Sequence, residues 1–363
     1  MTGGAVSADL ADSPHNPASS VEIRPLAAAE DAEWDHFVRS APSGTLFHLS
    51  GWSRVAEKAM GWRCFPLVCR NEHGISGVFP IGWIRNRLFG DCLVSMPLAV
   101  YGGICTADPD SYRSLLRAGT DLARRLNVKY LEMRNRTDLF PTSLPGRDLY
   151  VTFTQDLSPG PEKLLQGLPR DTRYMVRKSL KAGLEWVEDL TLDEFYEIYA
   201  RSVHRLGTPV FSKNLFSVIL GEFPQHSKIL GVRKGKKAIA GVLCLYFRDQ
   251  VMPYYGGALS EYNNDAPNNF MYWSLIAQSC REGYRVFDFG RSKRGTGSFH
   301  FKSSWSMQMT GLPYRYQLIR AEQVPQISPV DQKFRLAVEI WKRLPYSWTK
   351  ILGPRVIRWI PSV

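Results

Sequence analysis

The alternation of hydrophobic and polar positions predicts the same series of elements twice along the chain. The first series is two short helices, three strands, a long helix and a strand, at residues 30–39, 51–60, 64–70, 74–85, 92–97, 111–126 and 130–133. The second series has the same order, at residues 192–205, 213–220, 227–233, 237–247, 250–255, 268–281 and 285–289. A repeat of this length is too long for a solenoid, so the pattern predicts two copies of one domain.

Short motifs recur at matching places in the two series. Tyr-Gly-Gly precedes each long helix, at residues 101–103 and 255–257, and the strand after each helix contains an acid, Glu132 or Asp288. Chance similarity between two unrelated domains is the alternative to duplication. We expect an α/β (more strictly α+β) fold, in which each domain has a mixed, mostly antiparallel sheet flanked by helices. The expected divisions are 1–20 (disordered), 21–150 (first domain), 151–325 (second domain) and 326–363 (tail).

The composition adds a strong positive charge to an otherwise ordinary globular protein. The 363 residues include 46 Lys and Arg against 34 Asp and Glu, a formal net charge of +12, and 44% of them are hydrophobic. This excess favours a polyanionic partner such as a phosphate-bearing substrate, nucleic acid or an anionic membrane. The sequence has no apolar run of about 18 residues and no secretory signal, so we expect a cytoplasmic protein.

The cysteines and histidines do not predict a disulfide framework or a metal site. The six cysteines form no CxxC pair and mostly stand in apolar contexts, so we expect reduced thiols in the core. The seven histidines lack the spacing of zinc ligands. We therefore expect no metal and no bound cofactor.

A basic helix is predicted at residues 169–181. Its cations and one tyrosine fall on one face of the helix: Arg170, Arg173, Tyr174, Arg177, Lys178 and Lys181. A basic face with one aromatic side chain suits a phosphate or nucleotide ligand. A solvated helix face is the alternative interpretation.

A second cationic segment, FDFGRSKRGTGSFHFKSSW, occupies residues 287–305. It contains the cations Arg291, Lys293 and Arg294. It also contains three glycines, which permit positive φ: Gly290, Gly295 and Gly297. Such a segment can bind an anion through main-chain N–H groups, although it matches neither the P-loop nor the GxGxxG pattern. Phe301 and Lys302 close it, and a lysine held between aromatics can place a positive charge beside a developing oxyanion. A turn-rich connector with an exposed lysine is the alternative.

Further candidate site residues lie near the second Tyr-Gly-Gly triplet. Consecutive strand residues point to opposite faces, so one of Tyr254 and Tyr255 is expected to face a cleft. Asn268 and Asn269 stand where the next helix begins, so one is expected to cap the helix and the other can contact a ligand. Asp288 is a candidate substrate-binding residue. The first half has no basic glycine-rich loop after its acid, so the chemistry is predicted in the second domain.

Together these segments resemble the FemAB-like aminoacyl and acyl transferases, in particular the FemAB-related proteins of exosortase (PEP-CTERM) systems. The resemblance covers residues 21–363. It rests on Phe47-His48 with Gly51-Trp52, on LFGDCLVSMPLAVYGG (88–103), on RYMVRKSLKAG (173–183) and on FDFGRSKRGTGSFHFK (287–302). It implies tandem GNAT-like acyltransferase domains with the reaction in the second copy.

The resemblance also implies roles for particular residues. Arg177 and Lys178 match the helix that binds substrate phosphates in that family, and Phe301 and Lys302 match the pair at its transfer site. Lys302 would then stabilise the oxyanion that forms when an amine attacks an ester or thioester carbonyl. The implied activity is amide-forming aminoacyl or acyl transfer to an amine of a cell-envelope or exopolysaccharide precursor, as in the peptidoglycan-bridge enzymes.

Two departures from the related families leave the acyl donor open. Residues 260–269 lack the (R/Q)xxGxG/A loop of acetyl-CoA-dependent GNAT enzymes, which disfavours CoA. No long coiled-coil insertion separates the two halves, which puts charged tRNA in doubt. The alternatives are a GNAT-type N-acyltransferase with an acyl-CoA or acyl-carrier donor, and a non-catalytic binding or scaffold protein on the same fold.

The C-terminal tail is basic and rich in tryptophan. From Asp331 onward it contains seven cations, two acids and the tryptophans Trp341, Trp348 and Trp359. Such a segment can lie on an anionic membrane or pack on the second domain. We expect packing over residues 331–344 and membrane contact over residues 346–361, which would place the protein at the inner face of the cytoplasmic membrane.

Overall fold

The computed structural model describes residues 22–86, 90–138, 140, 142–325 and 332–358. The segment 1–20, for which disorder is predicted, lies outside these residues. The helices of the first half are α1 (Asp31–Ser40), α2 (Ser50–Met60) and α3 (Pro109–Arg125). The strands of the first half are β1 (Glu22–Pro25), β2 (Arg63–Cys64), β3 (Leu67–Asn71), β4 (Gly74–Phe79), β5 (Gly82–Ile84), β6 (Cys92–Val94), β7 (Tyr130–Arg134) and β8 (Gly146–Arg147).

The second half continues the series and ends in two further helices. Its strands are β9 (Tyr150–Asp156), β10 (Glu185–Val187), β11 (Ser227–Lys234), β12 (Lys237–Phe247), β13 (Gln250–Ala258), β14 (Val286–Asp288), β15 (Ser292–Lys293), β16 (Gln308–Gly311) and β17 (Tyr314–Leu318). Its helices are α4 (Pro161–Gly167), α5 (Arg170–Leu180), α6 (Leu192–Arg205), α7 (Lys213–Glu222), α8 (Pro267–Arg281), α9 (Gly297–Ser303), α10 (Gln332–Arg343) and α11 (Tyr346–Ile357).

Prolines divide two of the predicted strands. Pro66 separates β2 from β3, and Pro80 separates β4 from β5. A proline has no N–H group to donate within a sheet, so strand pairing is interrupted at both positions. The predicted strands 64–70 and 74–85 are therefore each two shorter strands.

The duplication is visible as one parallel strand pair in each half. In the first half, β6 and β7 are paired in parallel, with Val94 opposite the acid Glu132. In the second half, β13 and β14 are paired in parallel through Val251 and Phe287, immediately before the acid Asp288. All the other strand pairs are antiparallel among the residues that the structure describes.

The last strand of the second half completes the sheet of the first. β17 pairs antiparallel with both β7 and β8, giving the order β2-β5-β6-β7-β17-β8. The second sheet has the order β10-β11-β12-β13-β14-β9-β15, with β16 also paired to β9. β17 lies within the range predicted for the second domain, yet the pairing puts it in the first. The Tyr316 ring packs on Tyr130 of β7, and the main-chain pairing with β7 and β8 decides the placement.

The two domains share one hydrophobic core and several polar contacts. Buried residues of α2 and α7 belong to the same cluster, and the Arg54 guanidinium lies 2.7 Å from the Glu222 carboxylate. The loop after β6 contacts the second domain, where the Tyr254 hydroxyl donates to the Leu98 carbonyl. In the sheet of the first domain, the Tyr314 hydroxyl of β17 donates to the Val100 carbonyl of the same loop. These contacts fix the loop against β13.

The tail helices α10 and α11 pack on α6. His204 of α6 is hydrogen-bonded to the Leu344 carbonyl (3.1 Å), and the Lys350 ammonium lies 2.9 Å from the Glu197 carboxylate. Gly353 lies so close to Val210 that a Cβ atom there would be 2.8 Å from the main-chain nitrogen. One side of α11 therefore packs on the protein, beyond the point where packing was predicted to end.

The cysteines follow the prediction, since all six are free and four are buried. Among the described residues, no helix has both the length and the apolar character needed to cross a membrane. Nor does that part of the chain bring three His, Cys, Asp or Glu side chains together in the manner of a metal site.

Candidate active site

The basic face of α5 is exposed and has no acidic partner. Val176 and Ser179 are buried against the domain, so the opposite side of the helix, with Arg177 and Lys178, points outward. The Arg173 guanidinium donates to the Gln166 carbonyl. Within the described part of the chain, no carboxylate lies within 4.0 Å of any cation of this helix. Their charge is therefore available to an anionic ligand.

A partly buried hydrogen bond joins α5 to the segment that follows α9. The Thr172 hydroxyl, in the first turn of α5, donates to the Ser304 carbonyl at 2.6 Å. This contact sets the basic helix beside the end of α9, which carries Phe301 and Lys302. The two cationic segments singled out separately in the sequence are thus neighbours.

Lys302 and Asp288 hold the glycine turn that follows β14. Gly290 has a φ of 69°, and its N–H group donates to the Asp288 carboxylate at 2.8 Å. The Lys302 ammonium donates to the carbonyls of Phe289, Gly290 and Arg291. An ammonium has three N–H groups, so all of them are engaged with the main chain. In this conformation Lys302 positions the turn, whereas the sequence predicts that it contacts the reacting carbonyl.

The surroundings of Lys302 lower the pKa of its ammonium group. Burial lowers the pKa of its ammonium from 10.5 to about 8, because the charge loses most of its hydration. The nearby Arg291 cation lowers the pKa further, whereas the Asp288 carboxylate opposes both effects. The adjacent Phe301 ring packs against Tyr272 at a centroid distance of 5.6 Å.

Asp288 is enclosed in a hydrogen-bonded network that crosses the domain interface. Its side chain is fully buried and accepts from the Tyr101 hydroxyl (2.8 Å), the Thr152 hydroxyl (2.6 Å) and the Gln250 amide (3.0 Å), besides Gly290. Burial raises the pKa of the Tyr101 hydroxyl well above its usual value, which keeps it protonated as a donor. Four protein donors occupy the carboxylate in this geometry, and a role of Asp288 in substrate binding stays a prediction.

A β-bulge changes the expected arrangement of Tyr254 and Tyr255. In the pairing of β12 with β13, Leu243 lies opposite Tyr255 and Cys244 opposite Pro253, so Tyr254 is an extra residue. The two rings therefore do not point to opposite faces, and their centroids are only 4.8 Å apart. The Tyr254 hydroxyl binds the first domain, as described above, and the Tyr255 ring packs on Phe216. The predicted catalytic roles of these tyrosines thus have no support in their contacts.

The two asparagines at the start of α8 do not cap the helix. The N-cap is Ala266, in the left-handed conformation with a φ of 53°, and it makes no side-chain cap hydrogen bond. Asn268 and Asn269 occupy the second and third helical positions and are half-buried. The expectation that one of them caps α8 is therefore wrong, because Pro267 takes the first helical position.

The remaining candidates of the glycine-rich segment have separate local roles. The Arg291 guanidinium stacks on the Tyr150 ring at 4.7 Å, and Lys293 lies in β15, paired with β9. Arg294 forms an ion pair with Asp148 at 3.1 Å. Gly295 has the predicted positive φ, at 74°, whereas Gly297 is the first residue of α9 and has a negative φ.

A cleft between the domains borders the Asp288 network. Tyr101 and Gln250, which both donate to Asp288, form part of its wall. Arg136 lies exposed at its edge, where the guanidinium stacks 5.3 Å from the Tyr101 ring centre and donates to Gln250 at 3.2 Å. Sequence reasoning missed Arg136, which belongs to no motif. Its place shortly after the repeated acid Glu132 is the signal that points to it.

Residues 170–303, from the start of α5 to the end of α9, match the family model described as an acetyltransferase (GNAT) domain. This match and the parallel strand pair of each half agree on one architecture. The chain has a tandem GNAT-like fold. A search of curated protein sequences finds no match.

Solved structures share the tandem GNAT-like fold along most of their length. The crystal structure of FemX aligns with a TM-score of 0.65 and 14% identity, over 82% of this chain and 98% of that chain. A C-terminal domain assigned to a lysylphosphatidylglycerol synthetase of Agrobacterium fabrum aligns with a TM-score of 0.56 and 14% identity, over 79% and 91%. A tandem GNAT protein from the clavulanic acid biosynthesis pathway aligns with a TM-score of 0.51 and 11% identity, over 82% and 98%.

At sequence identities of 11% to 14%, the similarity to these solved structures shows a shared fold. The expected resemblance to FemAB-like, GNAT-type transferases is confirmed at that level. The link to exosortase systems stays a prediction.

Proposed function

We propose that this protein transfers an acyl or aminoacyl group to an amine of a phosphate-bearing cell-envelope or exopolysaccharide precursor. The contact between α5 and the end of α9 carries the proposal, because it joins the helix that carries the exposed cations to the segment with Phe301 and Lys302. The GNAT-like fold supports the acyl-transfer class. The similarity to FemX and to the lysylphosphatidylglycerol synthetase domain supports the envelope context.

The proposed reaction replaces an ester or thioester by an amide. The amine nitrogen attacks the carbonyl carbon, and a tetrahedral oxyanion forms. The carbon–oxygen or carbon–sulfur bond then breaks, and the departing alcohol or thiol takes the proton that the nitrogen releases. Lys302 contributes a positive charge near the turn, and the Asp288 network holds the wall of the cleft that admits the substrate.

The start of α8 supports a donor other than acetyl-CoA. A short 3₁₀ helix, Ser260–Asp265, precedes α8 where an acetyl-CoA enzyme has its glycine-rich loop. The Asp265 carboxylate lies 2.6 Å from the Lys234 ammonium, and Pro267 lacks an N–H group. Both features make the N-terminus of α8 less able to bind a pyrophosphate. Charged tRNA and an acyl-carrier thioester are the donors to test.

The role of α5 is tested by binding of a nucleotide-diphosphate-linked amino sugar. The double change Arg177→Glu and Lys178→Glu is expected to weaken binding at least about tenfold, because charge-assisted hydrogen bonds to phosphate are lost. The control, Arg113→Glu with Arg117→Glu, makes the same charge change on exposed positions of α3. Equal affinity in the α5 variant and the native protein would contradict the proposed phosphate site.

The reaction itself is tested with the purified protein, a cell extract and a labelled donor. Labelled aminoacyl-tRNA and a labelled acyl-carrier thioester are supplied in parallel, and transfer to an amine is expected from one of them. Lys302→Ala should abolish the transfer while circular dichroism shows an intact fold. If neither label moves, acyl transfer is wrong. If the Lys302→Ala variant also keeps the cellular phenotype, a scaffold role is favoured.

A further inference from the structure

The C-terminal helix α11 is apolar on two opposite sides. Its inner side, with Thr349, Gly353 and Ile357, is buried against the second domain. Its outer side carries Trp348 and Ile351, which are 59% and 62% exposed. A surface helix with one buried apolar stripe normally has a polar opposite side. The outer side of α11 therefore needs an explanation that packing on α6 does not supply.

The exposed apolar side chains continue from α10 through α11. Among the residues that the structure describes, six of the ten exposed large hydrophobic side chains lie in the 21 positions from 336 to 356. They form what we call the outer face: Leu336, Ile340, Trp348, Ile351, Leu352 and Val356. Both helices pack on α6, so the outer face points away from the protein. Large exposed apolar side chains that are concentrated in one surface segment mark an interaction site.

Cations surround the outer face. Residues 332–358 contain seven Lys and Arg and a single acid, Glu339. Lys342, Arg343, Arg355 and Arg358 are exposed, and among these only Lys342 has a carboxylate partner within the described residues, Glu339. Arg355 lies on the same side of α11 as Trp348 and Leu352, because residues spaced by three, four and seven share a helix face. Apolar and cationic side chains thus face the same direction.

We propose that the outer face of α10 and α11 binds an anionic membrane surface. Apolar side chains with an exposed tryptophan suit the boundary between lipid headgroups and acyl chains, and the surrounding cations suit the negative charge of that boundary. The positive charge around the outer face complements the negative charge of an anionic membrane, which favours a membrane as its partner. A second copy of the chain would bring two strongly cationic surfaces together, which is unfavourable. The inference does not depend on the proposed transfer reaction.

The experiment is co-sedimentation of the full-length protein with lipid vesicles. The probes are vesicles of phosphatidylglycerol mixed with phosphatidylcholine and vesicles of phosphatidylcholine alone. The protein is expected to sediment with the first kind and much less with the second, and added salt should weaken its binding.

Two double variants of exposed residues separate the apolar from the electrostatic contribution. Ile351→Ser with Leu352→Ser should reduce the vesicle partition coefficient by about tenfold or more per side chain that inserts. Arg355→Glu with Arg358→Glu should reduce it at least about 25-fold, since each cation near an anionic surface contributes roughly fivefold.

Matched controls carry the same changes elsewhere on the surface. Leu180→Ser with Met309→Ser removes two large apolar side chains of similar exposure, and Arg113→Glu with Arg117→Glu reverses two charges on α3. Both controls should keep most of the vesicle binding. The proposal is overturned if native protein does not sediment with phosphatidylglycerol vesicles, or if the controls lose as much binding as the α11 variants. It is also overturned if Ile351→Ser with Leu352→Ser only converts a dimer to a monomer.

Discussion

Lys302 is half-buried, and its ammonium is hydrogen-bonded to three main-chain carbonyls. The carbonyls of Phe289, Gly290 and Arg291 accept its hydrogen bonds, and these residues form the turn that leads from β14 toward α9. Burial still lowers the pKa to about 8, so the folded state gives up the proton more readily than the unfolded chain does. In this position Lys302 stabilises the turn directly, and it affects the transfer reaction through the conformation of the turn.

The pH dependence of unfolding tests this view of Lys302. Below about pH 8 both states carry the charge, and burial of the ammonium destabilises the folded state. Between the folded pKa of about 8 and the unfolded value of 10.5, the folded state is neutral while the unfolded state is still charged. The stability of the native protein relative to Lys302→Met should therefore rise with pH, by about 2 kcal/mol from pH 7.5 to pH 10.

Urea unfolding of both proteins at several pH values gives this difference. Lys178→Met serves as the control, since Lys178 is exposed on α5. A difference between native protein and Lys302→Met that stays constant from pH 7.5 to pH 10 would mean that the ammonium is not buried in solution.

Two glycines around the start of α9 differ in backbone conformation. This difference predicts that alanine substitutions at the two positions have opposite effects on stability. Gly295 has a φ of 74°, and a Cβ atom there would meet no other group, so conformation alone disfavours a side chain. Gly297 also faces open space but has a negative φ. Gly295→Ala should destabilise the protein by about 1 kcal/mol, whereas Gly297→Ala should stabilise it by about 0.5 kcal/mol. Each variant is the control for the other in urea unfolding, and changes of the same sign would refute the conformational argument.

The sequence predicts an element well where its local hydrophobic pattern determines its bounds. It predicts an element less well where pairing with another strand determines the conformation. The bounds of α6 and β12 agree with the predicted 192–205 and 237–247, because both have strong periodicity and clear ends. The bulge at Tyr254 was not predictable, since it depends on how β12 and β13 are aligned. Asp288 and Lys302 stand in motifs that the sequence displays, yet their partners are main-chain and interdomain groups that no local pattern reveals.

At the scale of the whole molecule, the order of elements in the sequence does not coincide with the division into sheets. β17 is encoded after the second domain and is inserted between β7 and β8 of the first. The hydrophobic pattern of residues 314–318 predicts a buried strand equally well in either sheet, so only the three-dimensional pairing assigns it. The first domain is therefore complete only when the chain has been made almost to the end of the second.

This arrangement predicts different outcomes for two truncations that differ by 14 residues. A chain ending at residue 325 keeps β17 and loses the tail helices, and its first sheet should stay intact. A chain ending at residue 311 loses β17, which leaves β7 without its antiparallel neighbour and exposes the positions that Tyr314 and Tyr316 fill. Hydrogen exchange should then become fast in a peptide that covers β7, while a peptide that covers β12 keeps its protection. Equal protection of β7 in the two truncated chains would contradict the role of β17, and loss of protection in β12 as well would mean that the two domains unfold as one unit.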